Sequence, residues 1–107
     1  MQIEDLLQRV VDDGASDGFI SAGAPPSIKV DGTLYPVTET PLTSEEAAEL
    51  VLSTMDEEQR IYFHEHHEYN FAIGREGLGR FRVSCFQQKG DYGPVSYTHL
   101  TLPTKCR

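Results

Sequence analysis

Between Ser27 and Val37 apolar and polar residues alternate on both sides of Asp31-Gly32, and that arrangement dictates an antiparallel hairpin. Ile28 and Val30 alternate with Ser27 and Lys29, and Leu34, Tyr35 and Val37 return as the partner strand. Asp-Gly supplies the two positive-φ positions of a type I′ turn, whose twist matches that of paired strands. Pro25 and Pro26 hold the entry extended and offer no N–H, so they stand before the ladder. Pro36 predicts that the return strand lies at a sheet edge or ends early.

Helical periodicity flanks this hairpin. Ile3, Leu6, Leu7, Val10 and Val11 recur at three- and four-residue spacing, the mark of an amphipathic helix. Asp12 and Asp13 end it against the dipole, and Gly14 is a natural C′ residue. Phe19 and Ile20 then suggest a short strand, with Ser16 and Asp17 able to close a turn before it. Downstream, Thr43 and Glu46 form a capping box, with Leu42 and Ala47 at the staple positions. Leu50, Val51 and Leu52 are the inward residues of that helix. Asp56 caps another, with Gln59 at the box position and Ile61, Tyr62 and Phe63 as its apolar content.

From Glu68 the period changes to two. Tyr69, Phe71 and Ile73 face one way and Asn70 and Ala72 the other; after GREGLG, Phe81, Val83 and Cys85 alternate with Arg80, Arg82 and Ser84. The order predicts an α+β domain with a largely antiparallel sheet and helices packed on one face, because so small a sheet cannot shield its apolar side alone.

At 107 residues the chain has room for one domain. Its 17 acidic residues outnumber its 9 basic ones, a formal net charge of -8. That balance argues against a nucleic-acid partner, which needs concentrated Lys and Arg, and against an anionic membrane surface. No apolar stretch approaches the roughly 20 residues that span a bilayer, and no basic-then-apolar leader opens the chain. The expectation is a cytoplasmic protein without direct membrane insertion. Cys85 and Cys106 form no C-x-x-C pair and no disulfide framework, and Cys85 has the setting of a small buried hydrophobe.

The final segment stands apart. Val95 to Thr104, VSYTHLTLPT, is what the transposon end and adapter of common sequencing libraries encode when translated in frame. Residues 94–107 are therefore expected to be an adapter-derived tail and 1–93 the domain proper, with loss of the true final strand leaving an exposed sheet edge. The same tail has high strand propensity at Val95, Tyr97 and Thr98.

Few residues offer chemistry. Arg80 and Arg82, two apart on one strand, point to the same side, opposite the apolar face. Paired guanidiniums in an acidic domain suit an anionic ligand or a carboxylate across an interface, and equally suit solvated arginines answering local Glu residues. Arg75 is a weaker candidate. His64, His66 and His67 lack the order and partners of a metal site, so no metal is expected. Glu45/Glu46 and Glu57/Glu58 are explained by capping. No nucleophile motif occurs, and GREGLGR is followed by a strand pattern where a phosphate loop needs GK[ST] opening a helix. The chain alone is expected to be no enzyme.

Several segments resemble the retraction ATPases of type IV pili, the PilT/PilU group of the secretion-ATPase superfamily. They are the first helix leading to GASD, GAPPSIKVDGTLYPV, the LTSEEAAELV and MDEEQRIYF helices, and NFAIGREGLGRFRVSCFQQKG. SAGAPPSIKVDG and NFAI…GRFRVS look closer to the PilU branch. One departure is Gly18, where a leucine is usual, so a lost apolar contact is expected there.

The resemblance implies a PAS-like N-terminal domain joined to a RecA-like motor that holds the Walker motifs. It implies a hexameric ring at the cytoplasmic base of the pilus machine, which powers pilus retraction and twitching motility. Its implied partners are the inner-membrane platform and a related retraction ATPase. ATP and Mg belong to the motor, with none expected for the chain alone. Arg80 and Arg82 match positions expected to approach the ATP phosphates. The competing expectation is a free-standing PAS-like sensory or protein-interaction domain.

Overall fold

Ile3, Leu6, Leu7 and Val10 are buried along one stripe of helix α1 (Ile3–Asp12), whose polar side carries Glu4, Asp5 and Arg9. The computed structural model describes residues 2–88, 91–92 and 94–100. After α1 the chain forms β1 (Asp17–Ile20), β2 (Ser27–Val30) and β3 (Thr33–Pro36). Helices α2 (Ser44–Leu52) and α3 (Glu57–His66) follow, and then β4 (Glu68–Arg75), β5 (Gly79–Gln88), β6 (Asp91–Tyr92) and β7 (Val95–Leu100).

Local chemistry sets most of these boundaries. Asp31 and Gly32 have φ of 49° and 82°, the left-handed pair required by the turn between β2 and β3. At the start of α2 the Glu46 N–H donates to the Thr43 hydroxyl at 3.1 Å and the Thr43 N–H donates to the Glu46 carboxylate at 3.0 Å. Asp56 and Gln59 repeat the reciprocal arrangement at α3. That helix ends at His67, whose φ of 63° places a non-glycine residue in the left-handed cap position.

The strands lie in the order β3-β2-β1-β7-β5-β4, with β6 paired to β5 off this path, and every pairing is antiparallel. Pro36 is in the edge strand β3, as the sequence predicts. Leu6, Leu7, Val10, Val51 and Phe63 from the helices meet Ile20, Ile28, Phe81 and Val83 from the sheet in one core. Burying each such side chain contributes about 2 kcal/mol. The helices cover one sheet face and leave the other open. Of the apolar residues of α3 only Phe63 turns inward, and Ile61 and Tyr62 are 54% and 46% exposed. A helix beside an edge strand has neighbours along a narrow stripe only.

The segment expected to be foreign supplies a strand at the middle of the sheet. Val95 and Tyr97 are fully buried, while Ser96 and Thr98 face the open side, and β7 pairs with β1 on one flank and β5 on the other. Alternation turns Val95 and Tyr97 toward the core, and the edges of β1 and β5 supply the pairing. The place of a missing final strand is filled in this structure, because β7 stands between β1 and β5. Residues 101–107, including Cys106, lie outside the described residues.

Gly18 corrects a second expectation. A Cβ built there would stand 3.0 Å from Val10 Cγ2 and 3.1 Å from Leu6 Cγ. Helix α1 has settled onto the glycine and fills the space a larger residue would take, so no apolar contact is missing.

Candidate functional site

Strand alternation puts Arg80 and Arg82 on the open face, opposite the buried Phe81 and Val83, with both guanidiniums exposed. The register then assembles a row that no single segment reveals. Arg82 lies opposite Thr98, Thr98 opposite Asp17, and Asp17 opposite Lys29. Three strand spacings separate Lys29 from Arg82, about 14 Å. Arg80 lies opposite Leu100 on β7 and Gly74 on β4.

The cations sort into two groups. Arg9 pairs with Asp13 at 3.0 Å and Arg75 with Glu4 at 3.0 Å. Arg60 donates twice to the Leu52 carbonyl, at 3.1 and 2.8 Å, satisfying the end of α2. Among the described residues Lys29, Arg80 and Arg82 have no ion-pair partner, and all three share the open face. Asp17, between them, is already engaged: its carboxylate accepts from Thr98 Oγ1 at 2.7 Å and from Ser16 Oγ at 2.7 Å. The arrangement can hold or attract an anion.

The other candidates have structural employment. Arg75 bonds the β4–β5 hairpin to α1 across the whole chain. His66 stacks on Tyr62 with ring centroids 3.9 Å apart. His67 lies beyond the end of α3, and its ring faces Gln87 Oε1 at 3.3 Å. No group of three His, Cys, Asp or Glu among the described residues could hold a metal. GREGLG closes a strand-to-strand turn, with the Leu78 N–H donating to the Arg75 carbonyl at 3.0 Å, so it opens no helix onto a phosphate. Burial pushes the Cys85 thiol up to about 11, which keeps it protonated. Lys29 was missed as a site residue. Its outward direction was readable from Ile28 and Val30, but its alignment with Arg82 is set by a pairing across unrelated segments.

No helix among the described residues is long and apolar enough to cross a membrane. No family model matches the chain. The type IV pilus ATPase PilU of Pseudomonas aeruginosa is 54% identical over 95 residues, covering 89% of this chain and 25% of that protein. The retraction ATPase PilT of the same organism is 37% identical over 105 residues, covering 98% and 30%. A crystal structure of the pilus retraction motor PilT with bound ADP superposes with a TM-score of 0.84 at 31% identity, covering 100% of this chain and 31% of that one. The Legionella pneumophila ATPase DotB shares the fold, with a TM-score of 0.73 at 18% identity over 94% of this chain and 30% of its own. The chain thus spans between a quarter and a third of the relatives it matches. Sequence and fold together place it with the N-terminal domain of the PilT/PilU family of type IV pilus retraction ATPases.

Proposed function

We propose that the chain serves as the PAS-like N-terminal regulatory and assembly domain of a hexameric ATPase that powers pilus retraction and twitching motility from the cytoplasmic base of the pilus machine. The motor, with its ATP and Mg, lies outside this sequence. The ring would work with the inner-membrane platform and a related retraction ATPase. The observation that carries the reading is the open sheet face, where Arg80 and Arg82 have no ion-pair partner among the described residues of an otherwise acidic domain. Exposed guanidiniums beside a bound nucleotide would neutralise phosphate charge and couple nucleotide state to domain position.

The domain proper is residues 1–93, and residues 94–107 derive from adapter sequence. The in-frame translation of Val95 to Thr104 supports that division. Long-read DNA of the source showing the same codons without a library junction would overturn it.

The functional test uses the full-length protein with Arg80→Ala and Arg82→Ala. Each is expected to lower ATP turnover by at least about tenfold, the scale of losing a charge-assisted contact to the transferring phosphate, with melting temperature unchanged. Unchanged turnover in both variants would return these arginines to ordinary solvated surface.

A further inference from the structure

The two ends of the sheet are treated differently. Strand β3 is four residues long, and Pro36 in it offers no N–H, so that edge is blunted against pairing. Strand β4 is eight residues long, without proline or lysine, and its register with β5 runs unbroken from Glu68↔Phe86 to Arg75↔Gly79. Its outer side pairs with no strand among the described residues. Just before this ladder the Gln87 N–H donates to the His67 carbonyl at 2.7 Å. Hydrogen-bonded positions alternate along an antiparallel pair, so Tyr69, Phe71, Ile73 and Arg75 direct their main-chain groups to β5. Glu68, Asn70, Ala72 and Gly74 turn theirs outward.

The residues of β4 itself fit a second β4. Facing residues of an antiparallel pair point to the same side, so two copies can meet only in registers that keep the alternation. With a two-fold axis at Phe71, Glu68 meets Gly74 of the second copy and Asn70 meets its Ala72, so every outward position is paired. On the core side Phe71 meets its own counterpart and Tyr69 meets Ile73. Tyr69 and Phe71 are only half-buried within one chain, where they stack at 5.0 Å. An axis at Ala72 would instead leave Glu68 outside the ladder, against Glu76 of the second copy.

The open face supplies the charge match. Arg80 lies beside Gly74, and in this register Glu68 of the second copy lies on the other side of the same glycine. About 10 Å separates their backbones, a span that Arg and Glu side chains close from opposite ends. Nothing stands over Gly74: a Cβ there would meet no heavy atom within 4 Å, and its φ is not positive. The chain alone therefore gives no steric reason for glycine here, whereas two side chains meeting over it do. Glu68 and Arg80 are both exposed, and neither has an ion-pair partner among the described residues. Two-fold symmetry makes the contact twice.

We propose that two copies of this chain pair edge to edge through β4, antiparallel about Phe71, with Glu68 of each copy reaching Arg80 of the other over Gly74. Arg80 so engaged is withdrawn from any phosphate, so this pairing and the phosphate role of Arg80 exclude one another, while Arg82 stays free. The pairing rests on register and charge, not on that role, and its test uses no nucleotide.

The test is sedimentation equilibrium of the full chain under reducing conditions, with a monomer–dimer equilibrium as the expected result. Glu68→Arg is expected to weaken the dimer about tenfold, because it turns two attractions into two repulsions. Adding Arg80→Glu is expected to restore it. In a Cys106→Ser background, Phe71→Cys is expected to cross-link two chains on oxidation, since such facing residues hold their Cα atoms about 4.5 Å apart. Ala72→Cys is expected not to cross-link. A chain that stays monomeric at millimolar concentration would overturn the proposal. So would a Glu68→Arg dimer as tight as the parent, a double variant as weak as the single one, or cross-linking through Ala72→Cys in place of Phe71→Cys.

Discussion

Helix α1 lies so close to Gly18 that a Cβ at that position would stand 3.0 Å from Val10 Cγ2, with Leu6 Cδ2 at 3.2 Å. The strand is not special in its backbone here; what requires glycine is the approach of the helix. Gly18→Ala therefore requires Val10 and Leu6 to give way by a few tenths of an ångström. The expected cost is about 1–3 kcal/mol, read as a lower urea midpoint with an unchanged m-value. A midpoint equal to that of the parent chain would show that α1 can retreat freely.

Tyr97 makes the opposite prediction. It is fully buried between β1 and β5, and its hydroxyl makes no hydrogen bond of good geometry; Thr54, which donates to the Val51 carbonyl at 2.7 Å, lies nearby with lone pairs still free. Burial pushes the phenol above its ordinary range, so it stays neutral. Tyr97→Phe removes the stranded hydroxyl and keeps the ring. It is expected to stabilise the chain by about 1 kcal/mol, measured by chemical denaturation. A destabilisation of that size would reveal a hydrogen bond made in solution.

The α2 capping box gives a pH signature. The Thr43 backbone N–H, and next its hydroxyl, hold the Glu46 carboxyl below its ordinary 4.5. A depressed carboxyl contributes stability that is fully present above its unfolded value and is lost as pH falls through its folded one. The difference in melting temperature between the parent chain and Glu46→Gln should therefore persist at neutral pH and close on acidification below about 4.5. Thr43→Ala, which removes the cap itself, should cost about 1 kcal/mol at neutral pH.

Cys85 should be chemically silent. Its thiol is buried, donates to the Tyr69 carbonyl at 3.3 Å and is raised to about 11 by desolvation. A raised thiol contributes stability that is present below its unfolded value near 9 and is lost as pH rises through about 11. In a Cys106→Ser background, labelling by a disulfide reagent at pH 8 should occur at the rate of unfolding. Labelling within the dead time of mixing would place the thiol at the surface.

The local grammar of this chain is legible because its signals are short-range. A type I′ turn needs only Asp31 and Gly32, and a capping box only Thr43 and Glu46. Alternation around Phe81 fixes which way Arg80 and Arg82 point. Segment resemblance adds the family, which no periodicity could supply. The exposure of Ile61 and Tyr62 was not legible, because a helix's apolar content does not say how much sheet lies beneath it.

What folding in three dimensions decided is order and adjacency. Nothing along the chain announces that the last described strand enters between β1 and β5, since alternation specifies a face and not a neighbour. That insertion aligns Lys29 with Arg82, engages Asp17 through Thr98, and leaves β4 at an open edge. The same holds for Gly18, whose meaning lies in the helix packed on it. Residue pattern determined which side of each element leaves water; only the packing of distant elements against one another determined which charges were left without partners.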